Sequence, residues 1–245
     1  MNITLPIMVA LIAFALPLVS AAVWKIKYHG KIAPMLVGAL TFFLFANVLE
    51  GLMHQALLLS DNGVSRFLNS HVLAYMLYTG FAAGIFEETG RFVAYKTLLR
   101  KHNDRTTCVS YGIGHGGIEA ILTLGAYYIL LTVAALSVGT PGESQFAAMI
   151  PTLSTITPGL CAIAIAERVF AIVFHIGASV LVFIAARDRK KIWYYPLAIL
   201  LHAVLDMPAA LYQMGALPLL GVEAVIAVYA LCVAFFAGRL YRKIS

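Results

Sequence analysis

Two stretches of this chain set a carboxylate and an imidazole at helical spacing, a third sets two carboxylates beside an arginine, and a third histidine stands on a helical stripe of its own. Glu87-Glu88-Thr89-Gly90-Arg91 places two carboxylates and a guanidinium inside an apolar run from about Val72 to Leu99. His115 and Glu119 stand four apart in Gly112-Ile113-Gly114-His115-Gly116-Gly117-Ile118-Glu119, and His202 and Asp206 are again four apart. His175 lies on a four-residue stripe with Glu167, Ala171 and Ser179. Residues three or four apart share a helical face, so Arg91 can orient either carboxylate within its own helix. These types suit the activation of water: a carboxylate takes the proton, and an imidazole assists or donates to a leaving amine. A second imidazole with a polar neighbour can stabilise a tetrahedral oxyanion. The same groups suit Zn²⁺ with a bound water. His-Glu-x-x-His is absent, so the zinc reading rests on ligand types. No Gly-x-Ser-x-Gly occurs and no cysteine joins the set, which argues against a covalent acyl-enzyme.

The elements that position these groups are membrane spans. The chain has 245 residues, 62% of them hydrophobic and 11% charged, with a mean hydropathy of +0.90. A soluble domain carries roughly 25% charged residues, so the composition predicts an all-α polytopic membrane helix bundle, read as a single integral-membrane domain over residues 1–245. Seven candidate spans appear, at about 4–23, 33–59, 72–99, 111–138, 161–186, 192–213 and 217–238. The formal charge of +6 sits in short loops rather than on a nucleic-acid face. Lys25, Lys27 and Lys31 fill the first loop, and Lys96, Arg100, Lys101 and Arg105 the third. Arg187, Arg189, Lys190 and Lys191 fill the fifth, and Arg239, Arg242 and Lys243 the tail. The other loops hold one basic residue, Arg66. The positive-inside rule then puts the N-terminus outside and the C-terminus in the cytoplasm, in a bacterial plasma membrane. Met1-Asn2-Ile3 lacks a basic n-region, so the first span is read as retained. Cys108, Cys161 and Cys232 show neither disulfide nor metal spacing.

Each chemical group has a plainer alternative. Glu87, Glu88 and Arg91 suit a structural ion pair. Gly112–Gly117 suits a packing seam with a hydrogen-bonded histidine. Asn47, Glu50 and His54 share a face of the second span and read as an interhelical polar contact. The segment from Val138 to Gly159 reads as an outer loop. Depth favours a common site. At ~1.5 Å per helical residue from the nearest basic loop, Glu87 and Glu119 lie roughly 14 Å deep. His115 lies roughly 8 Å, His175 roughly 18 Å, His202 roughly 16 Å and Asp206 roughly 22 Å deep. Glu87, Glu88, Glu119, His175 and His202 therefore fall in one mid-membrane layer, with Glu50 and Glu167 toward the outer end.

Glu87-Glu88-x-x-Arg91, the later membrane histidines and His202-x-x-x-Asp206 resemble the CPBP family of CAAX proteases and bacteriocin-processing (Abi) proteases. With the stretch Gly-x-Gly-His-Gly-Gly-x-Glu, the chain is most similar to the YhfC-type branch of membrane peptidases. The resemblance covers about Val72 to Met214, the expected catalytic core at 72–214. It implies a glutamic-type intramembrane endopeptidase acting on a membrane-associated peptide or protein. Glu87 or Glu88 would be the base, His175 the assistant, and His202 with Asp206 the oxyanion pair; Arg91, His115 and Glu119 would support them. Three departures matter. One residue is missing before Arg91 relative to Glu-Glu-x-x-x-Arg, Ala171 replaces the phenylalanine of Phe-x-x-x-His, and an ionised Asp206 would repel an oxyanion. His115 is therefore a rival to His175. No cofactor is expected. If the enzyme is metal-dependent, His115, Glu119, His175 and His202 would hold Zn²⁺. The alternative functions are a transporter or channel for protons or a divalent cation, and a membrane scaffold; no internal repeat supports transport.

Overall fold

A computed structural model describes residues 3–244. Met1 and Asn2, part of the segment read as lacking a basic n-region, lie outside the described residues. Among those described there is no strand. The helices of eight or more residues are α1 (Thr4–Tyr28), α2 (Ile32–Leu59), α3 (Gly63–Ser70), α4 (Val72–Lys96), α5 (Thr106–Ser137), α6 (Pro158–Arg187), α7 (Tyr194–Gln213) and α8 (Leu219–Tyr241). Six regions are long and apolar enough to cross a membrane: α1, α2, α5, α6, α7 with the turn before it, and α8. The seventh candidate, α4, has 25 residues but carries Glu87, Glu88 and Arg91 buried in its second half. The protein is an integral, multi-pass, all-α membrane bundle.

The chain is apolar outside as well as inside. Leu11, Leu18, Leu36, Leu220 and Val228 are exposed on their helices, as a lipid-facing surface requires. The interior is built on α6, which is buried almost continuously from Ala171 to Ala186. A helix apolar all round belongs at the centre of its bundle, and α4, α5, α7 and α8 pack around it. Two close crossings set the spacing. A Cβ on Gly114 would fall 1.9 Å from the Met35 carbonyl oxygen, so α2 and α5 touch backbone to backbone. A Cβ on Gly84 would fall 2.6 Å from the Ile199 carbonyl oxygen, which locks α4 to α7.

The basic loops meet at one end of the bundle. Lys31 Nζ is 2.6 Å from Asp104 Oδ2, and the Arg105 guanidinium lies 5.6 Å from the Tyr241 ring centroid. Arg187 donates to the carbonyls of Tyr95 (2.8 Å), Leu99 (2.7 Å) and His102 (3.0 Å), tying the end of α6 to that of α4. Partial burial opposes the Asp104 charge, but hydrogen bonds from Lys31, Thr106 and Thr107 outweigh it and hold the carboxyl at about 2. Those threonines also start α5 at Thr106, earlier than the expected 111. The glycine-rich stretch is thus inside the helix, rather than opening it. At the other end, the segment after Ser137 folds Phe146, Met149 and Leu153 onto Val9 and Tyr128, beside α1 and α5.

Candidate active site

Glu87 and Glu88 are neighbours on α4, so their side chains leave the helix about 100° apart. Their surroundings differ accordingly. Glu88 has no solvent exposure. Its Oε2 is 3.3 Å from Arg91 Nε, and its Oε1 accepts from His202 Nδ1 at 2.7 Å. Glu87 instead faces the cavity, with Oε2 2.8 Å from His115 Nε2 and 3.8 Å from His202 Nε2. Of the two carboxylates within helical reach of Arg91, it pairs with Glu88.

Arg91, also without exposure, turns across to α6. Nη1 donates to the His175 carbonyl at 2.9 Å and to Ser179 Oγ at 3.0 Å, while Nη2 lies 3.2 Å from His175 Nδ1. A guanidinium is donor-only, so His175 Nδ1 accepts. The proton of the neutral ring then sits on Nε2, which is 2.5 Å from Glu119 Oε2. His202 has the opposite tautomer when neutral: Nδ1–H donates to Glu88, and the Nε2 lone pair faces Glu87 and Asp206, 3.5 Å from the latter. The three rings lie in a row, with centroids 4.7 Å apart for His115–His175 and 5.3 Å for His175–His202.

The expected set Glu87, Glu88, His115, Glu119, His175, His202 and Asp206 is therefore brought together from α4, α5, α6 and α7. A cavity of about 150 Å³ is lined by Glu87, Glu119, Arg168, His175, His202 and Asp206. Asp206 sits toward its mouth, with about a third of its side chain exposed. Arg168 received no role from the sequence. It donates to Glu119 Oε1 at 2.7 Å and to Thr123 Oγ1 at 3.2 Å, and pairs with Glu167. The signal was an arginine beside a glutamate within a span, where unneeded charge is expensive. Glu50, expected at the outer end, borders a second cavity together with Glu87 and Glu119.

The donor set fits a divalent metal. Ligand atoms of Glu87, His175 and His202, all buried, lie within 4.8 Å of one another. Two imidazoles and a carboxylate are a recurrent catalytic zinc set that leaves a position for water. Around them, among the described residues, the carboxylates of Glu88, Glu119, Glu167 and Asp206 face two guanidiniums, Arg91 and Arg168. A cation would offset that surplus. This trio differs from the set expected for a metal: Glu87 joins it, while His115 points Nε2 at Glu87 and Glu119 pairs with Arg168 and His175.

The model of one family, described as YhfC intramembrane metalloprotease, matches residues 12–227. The uncharacterized membrane protein YhfC of Bacillus subtilis (strain 168) is 36% identical over 214 residues, covering 83% of this chain and 82% of that protein. No solved structure matches. The match names a metalloprotease rather than a transporter. It does not support the expectation of no cofactor, nor does it name the glutamic type or the wider CPBP group.

Proposed function

The chain belongs to the YhfC intramembrane metalloprotease family, and on that premise we propose that it hydrolyses a peptide bond of a membrane-associated peptide or protein at the cavity beside Glu87. The observation that carries this reading is the buried trio Glu87, His175 and His202, with ligand atoms within 4.8 Å of one another on a polar cavity in a membrane bundle. Glu87, His175 and His202 would hold a divalent metal, Zn²⁺ by ligand type, which supplies Lewis-acid polarisation of a carbonyl and acidification of water.

The remaining roles belong to the chain. Glu88 fixes the His202 ring and keeps its Nε2 lone pair turned inward, the usual task of a carboxylate behind a ligating histidine. Arg91 holds this part of α6 through the His175 carbonyl and Ser179 Oγ; for His175 to ligate through Nε2 its ring proton would sit on Nδ1, with that nitrogen released from Arg91. Glu119, 2.5 Å from His175 Nε2, is placed to take a proton from water. Arg168 holds Glu119 in that direction. Asp206, nearer the mouth, is positioned to return a proton to the departing amine. His115 holds Glu87.

A metal-free reading rests on the 2.8 Å contact of Glu87 with His115. There Glu87 is the base that activates water, and a doubly protonated His202 with Asp206 meets the oxyanion. The deciding experiment is the metal content and chelator response of the purified, detergent-solubilised protein, with Glu87→Gln and Glu88→Gln beside it. Stoichiometric metal, lost in Glu87→Gln together with chelator-sensitive cleavage, is the expected result. Metal-free, chelator-insensitive cleavage lost in Glu87→Gln would transfer the conclusion to the glutamate mechanism. Full cleavage in both variants would overturn both.

A further inference from the structure

Beyond the cavity beside Glu87 lies a second space, with Glu50, His54 and Gln213 set among apolar side chains, that the reaction chemistry does not use. Two cavities, of about 330 and 480 Å³, continue from Glu87 and Glu119 past Glu50 and His54 to Tyr75 and Gln213. Each is of the size of a ligand cleft, roughly 300–1,000 Å³. Together they form one cleft between α2, α4, α5 and α7. It runs away from the basic loops, toward the ends of α2 and α7 and the start of α4.

Three features of the walls are costly without a use. First, Glu50 is buried yet carries a carboxylate, with Oε1 3.1 Å from His54 Nε2, and His54 Nδ1 is 2.9 Å from the Tyr78 hydroxyl. Polar groups inside a membrane protein mark pathways by default. Second, the π-helical stretches among the described residues are Phe43–Glu50, Gln55–Leu59 and Ile121–Gly125, and all three border this cleft, through Asn47, Leu58 and Thr123. Single π turns gather at functional sites because they strain the helix. Pro208 removes a helical donor from the fourth wall, just beyond Asp206. Third, Gly51 lines the cleft, and a Cβ there would meet nothing closer than the Ala46 carbonyl oxygen at 4.0 Å. Unlike Gly84 and Gly114, it is not needed for a helix crossing.

We infer that the peptide reaches Glu87 through this cleft, from the extracytoplasmic end of the bundle, as an extended segment without clustered acidic residues, and that Gly51 keeps the cleft wide enough to admit it. The inference rests on the peptidase reading above and adds the route, the side and the gauge. A peptide bond must be unwound to be attacked, and unwound backbone at membrane depth needs polar walls. The walls offer them. Thr79 Oγ1 donates to the Tyr75 carbonyl at 2.9 Å, leaving lone pairs for a peptide N–H. Gln213 Oε1 accepts from the Tyr75 hydroxyl at 2.8 Å, leaving its NH₂ for a peptide carbonyl. The carboxylates of Glu50 and Asp206 on the cleft repel acidic residues.

The test reads accessibility first and cleavage second. Gly51→Cys and Thr79→Cys are made in a Cys232→Ala background, because Cys108 and Cys161 are buried. Intact cells and inside-out vesicles are treated with a membrane-impermeant sulfonated maleimide. Both positions are expected to label from outside, and Gly51→Trp is expected to slow labelling of Thr79→Cys at least tenfold while Gly51→Ala does not. Labelling only in inside-out vesicles, or only after denaturation, would overturn the route. In the second arm, quenched-fluorescence transmembrane peptides cut by the wild type are offered to both Gly51 variants. Gly51→Ala is expected to cut them and Gly51→Trp to lose at least tenfold in rate; equal rates, or equal loss in both variants, would overturn the gauge. A wild type that cuts no such peptide would remove the peptidase reading, while labelling would still decide which side the cleft opens to.

Discussion

Glu88 Oε1 accepts the Nδ1–H of His202 at 2.7 Å, so of two adjacent glutamates one holds an imidazole and the other meets the cavity. Glu88→Gln keeps the volume but loses the anionic acceptor and the partner of Arg91. An outer carboxylate behind a ligating histidine is worth about 10–100-fold in metal affinity or activity. Leaving Arg91 buried and uncompensated costs about 3–5 kcal/mol. Glu88→Gln is therefore expected to lower both cleavage and the unfolding temperature in detergent.

Glu87→Gln separates those effects. In chelator-stripped protein its main partner is the His115 imidazole, not a fixed cation, so stability there should change by no more than about 1 kcal/mol, the worth of one hydrogen bond. Cleavage should fall by more than the about 10–100-fold that loss of an outer-shell partner costs, because Glu87 would itself hold the metal. Equal unfolding midpoints of chelator-stripped wild type and variant, with turnover lost in the metal-loaded assay, would place Glu87 in the chemistry. A matching loss of stability would make it a structural residue.

Gly114→Ala tests positioning without touching a polar group. The new methyl would sit 1.9 Å from the Met35 carbonyl oxygen, forcing α2 and α5 apart. Overpacking of this kind costs about 1–3 kcal/mol. Because His115 is the next residue, its 2.8 Å contact with Glu87 should lengthen, and cleavage should fall more than tenfold in protein that still inserts. Gly51→Ala, made in parallel, should do neither.

Asp104 supplies a pH dependence away from the site. Its carboxyl titrates at about 2 when folded and near 3.8 otherwise. The stabilisation is therefore complete above about pH 4 and is lost as pH falls toward 2. The pair with Lys31 is partly exposed, so solvent screening limits it to about 1 kcal/mol or less. Asp104→Asn should melt slightly below the wild type at pH 6, and the gap should close as the melts are repeated from pH 4 down to pH 2. A gap that widens on acidification would contradict the assigned charge.

Much of the site could be read from spacing. Counting helical rise from the basic loops put Glu87, Glu119, His175 and His202 at one depth, and the structure brings these four into a single cluster. Rotation about the helix axis was not readable: no local rule decides which of Glu87 and Glu88 faces α7 until the Gly84 crossing fixes α4. The reach of long side chains was also lost. Arg168 spans from α6 to Glu119 on α5, and counting by backbone depth ignores a side chain that long. Glu50 and His54 were recognised as sharing a face, but π-helical turns change the register of α2, and a 3.6-residue period cannot say what that face opens onto.

Arg187 carries one more consequence. Its guanidinium ties α6 to the Tyr95 and Leu99 carbonyls at the end of α4, and this makes that end the fulcrum of a lever. Glu87 lies about 12 Å from Tyr95 along the helix and Thr79 about 24 Å. Any swing of α4 about that fulcrum moves Thr79 twice as far as Glu87. Were the outer end of α4 to move by about an ångström with α7 locked to it, Glu87 would move by about half of one.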